Sequence, residues 1–228
     1  MAASTSSGTR IDLSIDVGPV VLKGYVCVPA RARSIVIFAH GSGSGYMSPR
    51  NRFVAHTLNK ADIATLLFDL LDESEANDRR LVFDIDFLTE RLIRATEWIG
   101  TQRALDSMAI GYFGASTGAA AALQAAARLG TKIKAVVSRG GRPDLAGNFL
   151  ADVQSPTLLI VGGEDDAVIP LNERAYEKLT CEKEFVIIPG ATHLFEEPGA
   201  LEKVAEHATK WFKKFLVRTR RPEIEVTL

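Results

Sequence analysis

Ser116 stands inside Gly114-Ala115-Ser116-Thr117-Gly118, after the apolar run Met108-Ala109-Ile110-Gly111-Tyr112-Phe113 and before an alanine-rich segment, residues 119–129. A Gly-x-Ser-x-Gly between a strand and a helix is a nucleophile elbow, a sharp, strained turn that lifts the serine hydroxyl clear of the sheet. The flanking glycines leave room where Cβ atoms would clash. Glycine, alanine and serine are common, so the five-residue pattern alone is unspecific. The strand-turn-helix context is what gives it weight.

A serine hydroxyl is a weak nucleophile at neutral pH. It requires a base to take its proton and a third group to orient that base. On an elbow the partners follow in the order serine, acid, histidine. The acid candidates come after a strand, in Val161-Gly162-Gly163-Glu164-Asp165-Asp166. Asp165 and Asp166 both qualify, with Glu164 adjacent. The Gly-Gly-x-Asp turn puts Asp165 directly after the strand end and favours it. The base candidate is His193, in Pro189-Gly190-Ala191-Thr192-His193-Leu194-Phe195 after the last strand. His56 and His207 fall in helical segments and read as surface residues. His40 ends a strand and reads as a residue that shapes the next loop.

That loop, His40-Gly41-Ser42-Gly43-Ser44-Gly45, is the second informative segment. Acyl transfer places negative charge on a carbonyl oxygen, and backbone N–H groups must be aimed at it. One N–H comes from Thr117, the residue after the nucleophile. The other comes from the early loop, where Ser42 is the choice and Gly43 the next. The alternative is a flexible solvent loop. No Gly-Lys-Ser/Thr ending is present, which argues against a nucleotide triphosphate loop. Arg50, in Ser48-Pro49-Arg50-Asn51-Arg52, and Arg139 and Arg142, in Ser138-Arg139-Gly140-Gly141-Arg142-Pro143-Asp144, lie at the same sheet edge. Two readings stand side by side: they hold an anionic substrate group, or they brace loops.

These residues require a scaffold that brings strand ends together. Residues 11–17 and 20–28 are two β-rich runs split by Gly18-Pro19, an antiparallel hairpin. Continuous apolar runs at 34–39, 63–68, 108–113, 135–137, 157–161 and 185–188 read as strands buried on both faces. Helical spacing marks 52–59, 84–99, 119–129, 171–179 and 200–216. Residues 72–80 read as a solvated charged loop. The alternation predicts an α/β fold: a mostly parallel central sheet of about eight strands with helices on both faces. Ligands in such sheets bind beyond the carboxyl ends of the strands. Only residues 139–156 separate two late strands, so no large cap is expected and the site should be shallow and open.

The 228 residues carry 27 basic and 28 acidic side chains, a net charge of −1, which argues against a nucleic-acid partner. No run approaches the ~18 apolar residues of a membrane span. The first residues are small and polar rather than a secretory signal, so a cytoplasmic location is expected. Cys27 and Cys181 read as free thiols without metal spacing. The expected organisation is a flexible start (1–10), one domain (11–217) and a charged tail (218–228), as a monomer or homodimer.

Taken together, the loop 40–51, the elbow 114–118 and the segments 138–145, 159–165 and 189–195 make the chain resemble the α/β-hydrolase superfamily. Within it the chain is similar to the dienelactone-hydrolase-like group. The resemblance covers nearly the whole chain. It includes a bacterial subgroup sometimes fused to a phosphoribosyltransferase domain. It implies Ser116 as nucleophile, Asp165 as acid and His193 as base, and adds weight to Asp165 over Asp166. Dienelactone hydrolase proper carries a cysteine where Ser116 stands. A serine also lacks the carboxylate that dehalogenase and epoxide hydrolase chemistry needs. The implied reaction is hydrolysis of a small-molecule carboxylic ester or lactone, with no metal or organic cofactor. A thioesterase, peptidase or acyltransferase on the same residues, or a non-catalytic binding module, are the alternatives.

Overall fold

Continuous apolar runs become strands buried along their whole length, as in β3 (Ser34–Ala39), β4 (Ala64–Phe68) and β7 (Thr157–Gly162). The computed structural model describes residues 8–216. Around those strands lie β1 (Thr9–Asp16), β2 (Val21–Val28), β5 (Ala109–Ala115), β6 (Ile133–Arg139) and β8 (Lys183–Ile188). They form one eight-stranded sheet in the order β1-β2-β4-β3-β5-β6-β7-β8. β1 and β2 form the antiparallel hairpin, and β2 is antiparallel to β4 as well. Every other neighbouring pair is parallel.

The period-2 alternation of a strand sends successive side chains to opposite faces. Ile35 and Ile37 enter one core, Val36 and Phe38 the other. The first core is closed by α3 (Ile85–Thr101), α4 (Thr117–Leu129) and α5 (Ile169–Lys178), through Leu88, Leu92, Ile99, Ala122 and Ala175. The second is closed by α1 (Pro49–Lys60) and α6 (Ala200–Phe215), through Val54, Leu58, Val204 and Phe212. The alanines of α4 have no bulk to hold it away from the sheet. Among the described residues no helix is long and apolar enough to cross a membrane.

Two expectations change. Thr9 and Arg10 belong to β1, paired with Val28 and Cys27, rather than to a flexible start. Residues 1–7 and 217–228, which include the expected charged tail, lie outside the described residues. The segment 72–80 is not a simple solvated loop. Asp72 and Glu75 cap each other's backbone N–H groups at 3.0 and 2.8 Å. Glu75 also pairs with the buried Arg91 of α3, and a short helix α2 (Arg79–Val82) follows. Between β6 and β7 the chain makes only a 3-10 segment, Pro143–Asp152, kinked at Gly147, and no cap domain.

Candidate active site

Ser116 joins β5 to α4 with φ +50° and ψ −124°, a backbone region that side chains other than glycine rarely occupy. Such strain persists only where the surroundings impose it. Here both flanking glycines are pressed against backbone. A Cβ on Gly118 would collide with the carbonyl oxygens of Ala39 and His40 at the end of β3. One on Gly114 would lie 2.8 Å from the nitrogen of Ala119. Gly41 is tight in the same way, since its Cβ would lie 2.8 Å from Cβ of Ser116. The elbow and the glycine loop are therefore packed together, and both follow parallel strands that are direct neighbours.

Asp165 and His193 come from the loops after β7 and β8. His193 Nδ1 lies 2.7 Å from Asp165 Oδ2. A carboxylate oxygen only accepts, so Nδ1 carries a hydrogen, and Nε2 is the ring nitrogen left free of Asp165. Asp165 is buried, whereas Glu164 and Asp166 are exposed. The carboxylate that meets the histidine is thus the buried one, three residues beyond the end of β7. The start of the β6–β7 connection lies between His193 and the elbow. Ser116 N–H donates to Arg139 O at 3.3 Å, and Arg142 N–H to Ser116 O at 3.0 Å. A Cβ on Gly140 would lie 3.6 Å from Cε1 of His193. No hydrogen bond joins Ser116 Oγ to His193 among the described residues.

His40 shapes the glycine loop, as the sequence suggests. Leu70 N–H donates to its Nε2 at 2.9 Å, so the ring hydrogen sits on Nδ1, which donates to Gly41 O at 2.9 Å. Burial holds this ring below the ordinary histidine range, against the opposing pull of Gly41 O and Asp69. The ring is therefore neutral at pH 7. Ser42 and Thr117 are neighbours: the Ser42 N–H donates to Thr117 Oγ1 at 3.1 Å. Gly43 stands at φ +67° and takes no part in that bond.

A cavity of about 700 Å³ adjoins this pair. Gly41, Ser42, Gly43, Tyr46 and Thr117 line one side, and Asp69, Leu71, Glu73, Val82 and Leu88 the other. The β3–α1 and β4–α3 connections wall this cavity in place of a cap. Asp69 fastens these two walls by accepting the Tyr46 N–H at 2.9 Å. Nothing in the local sequence around Asp69 marks it for this role.

The three arginines part company. Arg142 is paired with its neighbour Asp144 through two bonds of 2.9 and 2.8 Å, the loop-bracing arrangement. Arg50 pairs with Glu196 at 2.8 Å, tying the first turn of α1 to the loop of His193. Arg139 is buried beside Asn51 and Phe195 and has no carboxylate partner among the described residues.

A family model described as PET hydrolase-like matches residues 52–223. Two Mycobacterium tuberculosis proteins that bear the provisional name phosphoribosyl transferase are 54% identical over 201 residues, which is 88% of this chain and 45% of theirs. The chain thus spans about half the length of the curated relatives it matches. Among solved structures, a dienelactone hydrolase from Anabaena variabilis is 52% identical, with a TM-score of 0.90 over 92% of this chain and 100% of that one. An esterase from Pyrococcus furiosus superposes with a TM-score of 0.78 at 18% identity, over 92% of each chain. At that distance the likeness concerns the fold alone.

Proposed function

The chain belongs to the PET hydrolase-like family of α/β hydrolases and is a hydrolase of the dienelactone hydrolase and esterase kind, and on that footing we propose that it cleaves small carboxylic esters or lactones through an acyl-enzyme on Ser116. The observation that carries this reading is the backbone of Ser116. A serine that merely closed a turn would have no need of φ +50° or of two glycines pressed against backbone.

In this mechanism Ser116 Oγ attacks the substrate carbonyl. Nε2 of His193 takes the serine proton and then gives it to the leaving alcohol. Asp165 keeps the ring in the Nδ1–H form and stabilises the imidazolium that forms. The N–H groups of Thr117 and Ser42 receive the oxyanion, the latter by exchanging its bond to Thr117 Oγ1 for one to substrate. Losing one such donor typically lowers the rate by about 10²–10³. Water then repeats the sequence and frees the acid.

The test is hydrolysis of p-nitrophenyl acetate, with fluorophosphonate labelling alongside. Ser116→Ala should abolish both. Activity retained in that variant would overturn the mechanism. A Ser116 that never labels would favour a binding module. A panel of matched ester, thioester and amide substrates separates esterase from thioesterase or peptidase.

A further inference from the structure

Asn172, near the start of α5, is fully buried. Its side-chain nitrogen donates twice, to Gly141 O and to Val168 O, each at 3.0 Å. Both acceptors are carbonyls, so the amide must face them with its nitrogen. Its oxygen is then left buried without a partner among the described residues. A buried acceptor without a donor costs free energy, and an apolar side chain would avoid that cost. The two donated bonds are what the amide adds in return.

Each bond leads to one of the residues assigned to the chemistry. Gly141 O and the Arg142 N–H belong to one planar peptide unit. The N–H of that unit donates to Ser116 O at 3.0 Å. The same stretch grips the nucleophile from its other side, where Arg139 O accepts the Ser116 N–H at 3.3 Å. On the second arm, the Val168 N–H donates to Asp165 O at 2.8 Å and the Ile169 N–H to the same oxygen at 3.0 Å. There is little slack between the arms. A Cβ on Gly141 would run into Ser138 Oγ and lie 2.6 Å from Cβ of Ala119 in the first turn of α4. His193 leans on the same stretch, since its carbonyl oxygen lies 3.0 Å from where a Cβ on Gly140 would stand.

A strained backbone such as that of Ser116 persists only where its neighbours over-determine it. We propose that Asn172 is a positioning residue: through the 141–142 peptide it fixes the place of the Ser116 carbonyl relative to the loop that carries Asp165, and so the reach from Ser116 Oγ to His193. It touches neither substrate nor the reacting atoms. The role rests on ester hydrolysis at Ser116 as proposed above. The 700 Å³ cavity is walled from the β3 and β4 connections, so loss of the bridge should spare substrate binding.

The experiment compares the parent with two variants. Asn172→Leu keeps the branched shape and removes both donors. Asn172→Ser leaves a hydroxyl that can reach back one turn to Val168 O but not across to Gly141 O, and it keeps the test sharp if the leucine variant fails to fold. Turnover of p-nitrophenyl acetate is expressed per site labelled by fluorophosphonate, so unfolded molecules do not count. In both variants kcat per labelled site should fall by about 10²-fold with KM unchanged, the signature of misplaced reacting groups rather than lost binding. Ser138→Ala is the control. Ser138 Oγ is buried against the same glycine without a partner among the described residues, so its removal breaks no bond and should leave turnover per site at the parent value. Unchanged turnover per site in the Asn172 variants, or a loss carried by KM, overturns the positioning role. An equal loss in Ser138→Ala also overturns it, by assigning the effect to packing around Gly141. A parent that neither labels nor turns over overturns ester hydrolysis at Ser116, and the role with it.

Discussion

Leu70 donates its backbone N–H to Nε2 of His40 across the carboxyl ends of β4 and β3, at 2.9 Å. The bond exists only while the ring is neutral, because a protonated Nε2 would present a hydrogen to another hydrogen. His40 therefore binds a proton less readily folded than unfolded. Its folded value lies below the unfolded one of about 6.5.

The sign of the pH dependence follows. His40 contributes stability that is fully present above about pH 6.5 and is lost as the pH falls through the folded value, at no more than about 1.4 kcal/mol per pH unit. His40→Gln removes this proton uptake. The fall in unfolding free energy between pH 7.5 and 5.5, from urea titration, should be shallower in the variant by about 1 kcal/mol. Equal falls would assign the acid sensitivity elsewhere.

Asp165 and Asp166 make a matched pair for substitution. Asp165→Asn leaves the histidine without its carboxylate partner. On p-nitrophenyl acetate kcat should drop by about 10³–10⁴. Asp166 is exposed, and the Nδ1 bond of His193 goes to Asp165 instead, so Asp166→Asn should stay within about two-fold of the parent. A comparable loss from both would mean that the carboxylate acts through general charge rather than through the Nδ1 bond.

Gly118 sits in the first turn of α4, where alanine would ordinarily be favoured by about 1 kcal/mol. The added Cβ meets the carbonyl oxygens of Ala39 and His40 at the end of β3, which are backbone and cannot swing away. Overpacking of about 1–3 kcal/mol should outweigh the helical gain. Gly118→Ala is expected to lower the melting temperature and to reduce esterase activity through displacement of the elbow. A more stable variant would show that α4 can shift freely.

Glu75 and Arg91 form a pair whose side chains are 15% and 5% exposed. Neutralising one member strands the other in a poorly hydrated place. Glu75→Gln should lose about 3–5 kcal/mol of unfolding free energy. Glu75 also caps the turn at Asp72 beside the cavity, so KM for esters should rise with it. A loss below about 1 kcal/mol would place the pair among ordinary surface bridges.

The fold is legible in the sequence where one local pattern decides the structure. The apolar runs of β3 and β7 and the elbow at Ser116 are visible from a few adjacent residues. So are the positions of Asp165 and His193 in the loops that follow strands. Contacts between partners remote in sequence leave no such local mark. The charges of 72–80 look solvated until α3 brings Arg91 to Glu75. Ser42 is a loop residue like any other until Thr117 Oγ1 takes its N–H. Arg139 and Arg142 look alike on one short loop. The structure distinguishes them because Asp144 sits within reach of Arg142, while Arg139 turns under α1 beside Asn51.

Ser116, Asp165 and His193 follow β5, β7 and β8, strands joined in parallel through long crossovers. Such non-local pairings are slow to form. His193 cannot meet Asp165 until β8, the last strand among the described residues, has docked on β7. During refolding from denaturant, α-helical signal should return before any turnover. The appearance of activity would time the closure of the sheet edge itself.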